Sequence, residues 1–239
     1  MNHSIKFLSL IFSWIVFSAK AQSISYSVRF NEKFDREGGR FVSYQAFLLI
    51  DSFQRSVFYI KNTPEDKSAE AIHAPIDTLW RIYKNIEEGV CLFEDYLFSN
   101  FKPALYSDSL HSMKWVIQPI QKRLDSFLCT MATTEFRGRK YVAWYTGQLL
   151  PGHGPWKFGG LPGLICEIEE ANGDLHMRLV AYNPEPASFP FPVKTPKPLE
   201  HFKSAGRKFK EKLQQLSSDC TGCPASTTID FRFWEKMFD

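Results

Sequence analysis

The stretch LICEIEEANGDLHMRLVAY, residues 164–182, constrains the fold more than any other. Asn172-Gly173 at its centre is a strong hairpin signal, because both central residues of a tight type I′ turn take positive φ, which Asn and Gly tolerate. A two-residue loop fixes the register. It sets Glu169 opposite His176, Glu167 opposite Arg178 and Ile165 opposite Val180. On the other face Ile168 meets Met177, Cys166 meets Leu179 and Leu164 meets Ala181. One face is then wholly apolar and the other largely charged with complementary signs, so the register is self-consistent. Glu167, Glu169, His176 and Arg178 have the residue types of a catalytic cluster. Their strict alternation with core residues reads instead as a solvated sheet face.

The same pattern repeats upstream. LCTMATTEF and KYVAWYTGQL flank Arg137-Gly138 as a second hairpin, whose later strand carries Tyr141, Trp144 and Tyr145. Ser23–Phe30 alternates, with Ile24, Tyr26, Val28 and Phe30 on one face. Phe41–Ile50 and Phe53–Ile60 are β-rich runs around Asp51-Ser52, and Lys61–Lys67 reads as a polar loop. Val90–Phe98 and Lys114–Ile120 are further strands, and Pro119 assigns the latter to an edge or an end. Ala71–Glu88 is expected to be helical, with Ile76, Leu79, Ile82 and Tyr83 at helical spacing and Gly89 as a stop. Six prolines between residues 184 and 198 form an extended connector. Pro198 then opens a helix over Leu199–Leu216, whose stripe is Leu199, Phe202, Phe209, Leu213 and Leu216. The tail, with Phe231, Phe233, Trp234 and Phe238, is apolar enough to pack back.

The N-terminus reads as a leader. Lys6 precedes the apolar run Phe7 to Phe17, and Ala19-Lys20-Ala21 has the small-x-small form of a signal-peptidase site. That run is too short to span a bilayer as a mature helix. Residues 1–21 are thus expected to be a cleaved signal peptide and residues 22–239 a single exported domain with no transmembrane segment. The leader holds two lysines and no acid, so its removal lowers the formal net charge from +3 to +1. Such a balance gives no electrostatic footprint for nucleic acid. Aromatic residues make up 15% of the chain, which implies either a large apolar core or an apolar cavity.

The five cysteines are Cys91, Cys129, Cys166, Cys220 and Cys223. Pairing is the default in an oxidising compartment, but five cannot all pair within one chain. Cys220-Thr-Gly-Cys223 has the spacing of redox and metal sites. It follows a helix rather than opening one, and no second C-x-x-C or paired histidine motif accompanies it. A disulfide, free thiols, and a metal or redox role all remain open for this pair.

No nucleophile elbow, P-loop or H-E-x-x-H motif occurs in the sequence. His153 is a lone histidine in a turn, where solvation is the ordinary fate. Gly159-Gly160 is not a dinucleotide fingerprint, because a strand rather than a helix follows it and Pro162 removes a backbone donor. No cofactor or metal is implied. The stretch GPWKFGGLPGLICEI, residues 154–168, is punctuated by glycine and proline at the spacing of turns between two hairpins.

These residues resemble the GLPGLI family, exported proteins of Gram-negative bacteria named for the hexapeptide that stands here as Gly160–Ile165. The likeness extends through Phe136–Thr146 and Gly154–Gly160, and reaches Cys129 and Ala132. Cys166 departs from the pattern, and the Cys220–Cys223 tail looks particular to this chain. The resemblance carries no assigned activity.

The expected fold is mainly antiparallel β (α+β): a curved sheet or half-barrel with a C-terminal helix packed on its concave side, by analogy like the periplasmic lipoprotein carriers. The expected function is non-enzymatic binding of an apolar small molecule or an envelope protein in the periplasm or outside the cell. Trp144, Trp156, Phe158 and Leu161 are the candidate binding residues. The alternatives are a thiol-disulfide or metal-linked protein using Cys220 and Cys223, and a structural envelope component whose sheet edge recruits a partner strand.

Overall fold

The computed structural model describes residues 22–32, 40–64, 78–96, 102–110, 113–149, 152–184 and 188–218. The expected leader, the Cys220–Cys223 pair and the apolar tail lie outside them. The first six strands are β1 (Gln22–Glu32), β2 (Arg40–Ile50), β3 (Arg55–Pro64), β4 (Thr78–Asn85), β5 (Val90–Asp95) and β6 (Ala104–Ser109). There follow β7 (Val116–Leu124), β8 (Phe127–Phe136), β9 (Arg139–Thr146), β10 (Leu164–Glu170), β11 (Leu175–Asn183), the short β12 (Lys197–Pro198) and helix α1 (Leu199–Ser218).

These strands form one sheet in the order β12-β6-β5-β4-β3-β2-β1-β11-β10-β9-β8-β7, antiparallel except for the parallel β12–β6 bridge. It is a meander that returns on itself, because β11 pairs with β1. The shape follows from one short link. From β6 to β7 lie eleven strands, which would span about 48 Å if laid flat at the usual strand spacing. Residues 110–115, which join those two strands, reach about 25 Å when fully extended. The sheet must therefore curl. The curl is visible in side chains: Arg137, in the β8–β9 turn, donates to both carboxylate oxygens of Asp108 on β6 at 2.8 Å. An opening remains between β6 and β7, so the sheet is curved and unclosed, as the sequence implies.

The main core fills the inner face. Phe58, Ile82 and Phe93 share a row on β3, β4 and β5, while Tyr26, Ala132, Ala143, Ile168 and Met177 line β1 and β8–β11. Helix α1 joins it through Phe202, whose ring stands edge-on to Phe93 at 5.0 Å and to Tyr106 at 5.3 Å. A second, smaller cluster lies on the outer face, where Val57, Tyr83 and Leu92 share a row. Phe189 and Phe191 of the proline-rich connector cover it.

That double cover makes β4 resemble a helix in sequence. Residues 78–85 form strand β4 and not a helix, and residues 71–77 lie outside the described set. Ile82 serves the inner core and Tyr83 the outer cluster, so adjacent apolar residues mimic helical spacing. Lys84 then occupies an inner, fully buried position, which hides the period of two. Two smaller differences concern β3 and β6. Phe53 belongs to the turn and stands 70% exposed, whereas β3 continues through Lys61 to Pro64. Ala104–Ser109 forms a strand the sequence reading did not single out.

Both glycine-containing turns join antiparallel strands. The β10–β11 register is the expected one over three pairs, with Glu167 opposite Arg178, Ile168 opposite Met177 and Glu169 opposite His176, whereas Ile165, expected opposite Val180 on the charged face, lies beyond a bulge and is buried in the core. The turn itself is not type I′, because only Gly173, and not Asn172, has positive φ. Instead the N–H of Gly173 donates to the carbonyl of Glu170 at 2.8 Å. The Glu170 carboxylate accepts from the N–H groups of Asn172 and Asp174 at 2.9 and 3.3 Å. In the β8–β9 turn Arg137 and Gly138 both take positive φ, as a type I′ turn requires. β7 is the last strand of the sheet, the edge position Pro119 demands.

Candidate functional site

The glycine-rich segment between β9 and β10 is a strap laid against the inner face. Its exit into β10 is fixed by Gly163, where a Cβ would stand 2.0 Å from the carbonyl oxygen of Thr146. No side chain fits there, which accounts for the second glycine of Gly160-Leu161-Pro162-Gly163. The strap closes on itself through Gly152 N–H to the Leu161 carbonyl at 3.0 Å and Gly160 N–H to the Gly152 carbonyl at 2.9 Å. Trp115, just before β7, donates its indole N–H to the Gly159 carbonyl at 2.8 Å.

Trp156 sits at the tip with φ 49°, a conformation a bulky residue adopts at a cost of roughly 1–3 kcal/mol. The turn is closed by Phe158 N–H on the Pro155 carbonyl at 3.0 Å. The strain is offset by packing. Trp156 and Phe158 meet edge-on at 5.1 Å, Trp156 meets Phe136 at 6.4 Å, and Phe158 meets Tyr141 at 4.9 Å. Lys157 turns the other way, donates to Asp108 at 2.9 Å, and lies 4.2 Å from the Phe93 ring centroid. The Arg137 and Lys157 cations hold the Asp108 carboxyl below its usual range against the opposing effect of burial.

The strap hangs on one buried cation. Lys84, fully buried, donates its Nζ to the carbonyls of Gly154 at 2.6 Å and Phe158 at 2.7 Å. Burial lowers its pKa to about 7. Beside it His153 is also fully buried, and neither ring nitrogen has a hydrogen-bond partner. Burial first, and the Lys84 charge second, depress the His153 pKa to about 3, so its ring is neutral. The solvated histidine expected from sequence is thus a core residue. No local signal distinguishes it, because its burial comes from the strap folding over β4.

Three of the four candidate binding residues come together here. Trp156, Phe158 and Leu161 are buried side chains of the core. Trp144 lies elsewhere, partly buried on the opposite face of β9, with the Lys122 ammonium 4.2 Å from its ring centroid. Lys122 also pairs with Glu167, whose carboxylate accepts from His176 Nε2 at 3.0 Å. The His176 and Lys122 bonds pull the Glu167 pKa down to about 2 against its burial. The charged face of β10–β11 is therefore partly enclosed at Glu167, while Glu169 and Arg178 are exposed as expected. Arg178 reaches Asp125 at 3.5 Å. Cys91, Cys129 and Cys166 are buried free thiols, contrary to the default of pairing. A thiol–thiol hydrogen bond raises the Cys166 pKa and lowers that of Cys129.

At the opening the surface changes character. Val116, Ile117 and Ile120 on β7 are 58%, 52% and 48% exposed, and Leu128 on β8 is 46% exposed. Ile117 stands level with the buried Ala132, so it continues the inner apolar face out to the gap. The sequence shows β7 only as an apolar strand with a proline. Its exposure follows from its place at the end of the sheet, where among the described residues it pairs with β8 alone.

No family model matches the chain, and no curated protein matches it. Solved structures do. PNGF-II in two crystal forms superposes with TM-scores of 0.56 and 0.55 at 16% and 14% identity, each over 80% of this chain. The chain spans about a third of PNGF-II, since the match covers 34% of that protein. This likeness concerns the fold. A LolA superfamily protein from Nitrosomonas europaea aligns more loosely, with TM-score 0.30 and 9% identity over 73% of this chain and 89% of that one. Among the described residues no helix is long and apolar enough to cross a membrane.

Proposed function

We propose that the chain is an exported, non-enzymatic binding protein of the GLPGLI type, which holds an apolar ligand or an envelope protein at the open side of its curved sheet. The observation that carries this reading is the group of exposed apolar side chains at the opening, Val116, Ile117 and Ile120, on a strand that among the described residues pairs with one neighbour. Burying such residues in a partner is favourable by about 25 cal/mol per Å². The Lys6–Ala21 leader pattern supports export, and the Gly160–Ile165 hexapeptide supports the family. The strap is its structural signature rather than its binding surface, because Trp156, Phe158 and Leu161 are spent on the core.

The test is expression of the full chain in a Gram-negative host, with recovery from the periplasm and native mass spectrometry. A chain starting at Gln22 and carrying a bound apolar molecule or partner polypeptide is expected. Retention of the leader in the cytoplasm, or a processed chain carrying neither, would count against the reading.

A further inference from the structure

We infer that β7 is a docking edge for an extended segment of another protein, one with alternating apolar side chains flanked by acidic residues. This rests on the binding reading above and names the chemistry of the partner. Among the described residues β7 pairs only with β8, so its other side offers backbone N–H and C=O groups to a further strand. Seven large apolar residues are exposed among the described residues, and four of them, Val116, Ile117, Ile120 and Leu128, lie on β7 and β8. Such clustering on an unpaired strand fits addition of a strand, in which main-chain bonds give affinity and alternate side chains give specificity.

Charge selects the partner. Residues 114–124 carry Lys114, Lys122 and Arg123 and no acid. Lys122 is engaged by Glu167 and Trp144, which leaves exposed Lys114 and Arg123 near the two ends of the strand. They are nine residues apart, about 30 Å along a strand, so the complementary segment is roughly ten residues long with acid at both ends. A second copy of this chain is the wrong occupant. Pairing β7 with β7 sets Lys114 near Arg123 when antiparallel and like beside like when parallel, and either arrangement repels. Pro119 and the register shift between Ile117 and Gln121 divide the edge into two short ladders, which further guards against indiscriminate pairing. The edge therefore rejects itself while accepting an acidic strand.

The test uses the full chain and two synthetic peptides of about ten residues, alternating valine with threonine, one ended in glutamates and the other in lysines. Binding is followed by fluorescence anisotropy and by amide hydrogen exchange. The glutamate-ended peptide is expected to bind about tenfold more tightly than the lysine-ended one, with the preference shrinking at about 0.5 M salt. It is expected to slow exchange at β7 amides, and Ile120→Lys, an exposed position, to weaken it about tenfold without loss of folding. Equal affinity for the two peptides, or binding without protection of β7, overturns the inference and leaves the broader binding reading intact. Slow exchange of β7 in the free chain that is released by truncation after Ser218 also overturns it, because the chain's own C-terminal segment would then hold the edge. Peptide addition at β7 together with a processed chain that carries no native guest supports the edge and removes the broader reading.

Discussion

Replacing Lys84 by methionine probes the strap at its anchor. The variant keeps the length of the side chain and removes the cation that holds the Gly154 and Phe158 carbonyls. Two effects oppose each other. Leaving two buried carbonyls unpaired costs about 1–3 kcal/mol each. Relief of the buried charge returns a similar amount, since lowering the lysine pKa from 10.5 to about 7 corresponds to about 5 kcal/mol. Stability at one pH is therefore a poor readout, and its pH dependence is the informative one. The folded state binds this proton less tightly than the unfolded state, so the unfolded chain holds more protons between pH 7 and 10.5. Stability consequently rises with pH across that window, and the lysine contributes no slope well below it. From pH 7 to pH 9 the native chain should gain about 2 kcal/mol relative to Lys84→Met. Urea unfolding of both proteins at several pH values measures this difference, and other titrating groups cancel in it. Parallel curves for the two proteins would refute the placement of a buried, strap-holding ammonium.

Three further outcomes follow from other contacts. His153→Leu removes a ring with no hydrogen bonds and a pKa of about 3 against 6.5, so it should flatten the loss of stability on acidification below pH 6.5. The variant should be about 2 kcal/mol more stable than the native chain at pH 5 relative to pH 7, by chemical denaturation. Gly163→Ala forces a Cβ against the Thr146 carbonyl and should lower the melting temperature by roughly 5 °C or more, measured by calorimetry. Glu167→Gln weakens the bonds to Lys122 and His176 and should cost about 1–3 kcal/mol at pH 7. Because the carboxyl pKa falls from 4.5 to about 2, its contribution is present above pH 4.5 and lost as the pH drops towards 2, and the variant should lose that part of the acid limb.

The hairpins were legible because turn chemistry and alternation agree there, and Glu167 did face Arg178 across the sheet. The edge position of β7 was partly legible from Pro119, because a missing N–H confines a strand to an edge, an end or a bulge. Strand β4 was not legible. Its alternation is broken by cover on both faces and by Lys84, whose burial depends on carbonyls some seventy residues away in the chain. The pairing of β11 with β1 is equally remote in sequence, and no local signal marks it. The candidate site was half legible. Trp156 and Phe158, expected as binding residues, pack on each other in the core. The exposure of Val116, Ile117 and Ile120 depends on β7 having no second neighbour among the described residues, and apolar residues in a strand ordinarily signal burial.

The most direct test of binding at the open side places a photo-reactive phenylalanine analogue at Ile120 of the full chain expressed in a Gram-negative host, with a matched probe at Val193, which is fully exposed on the connector. Irradiation in intact cells, followed by mass spectrometry of the linked peptides, should give from Ile120 alone a defined adduct with an extended, acid-flanked segment of an envelope protein. Equal labelling from the two positions, or labelling from neither, would contradict a binding edge at β7.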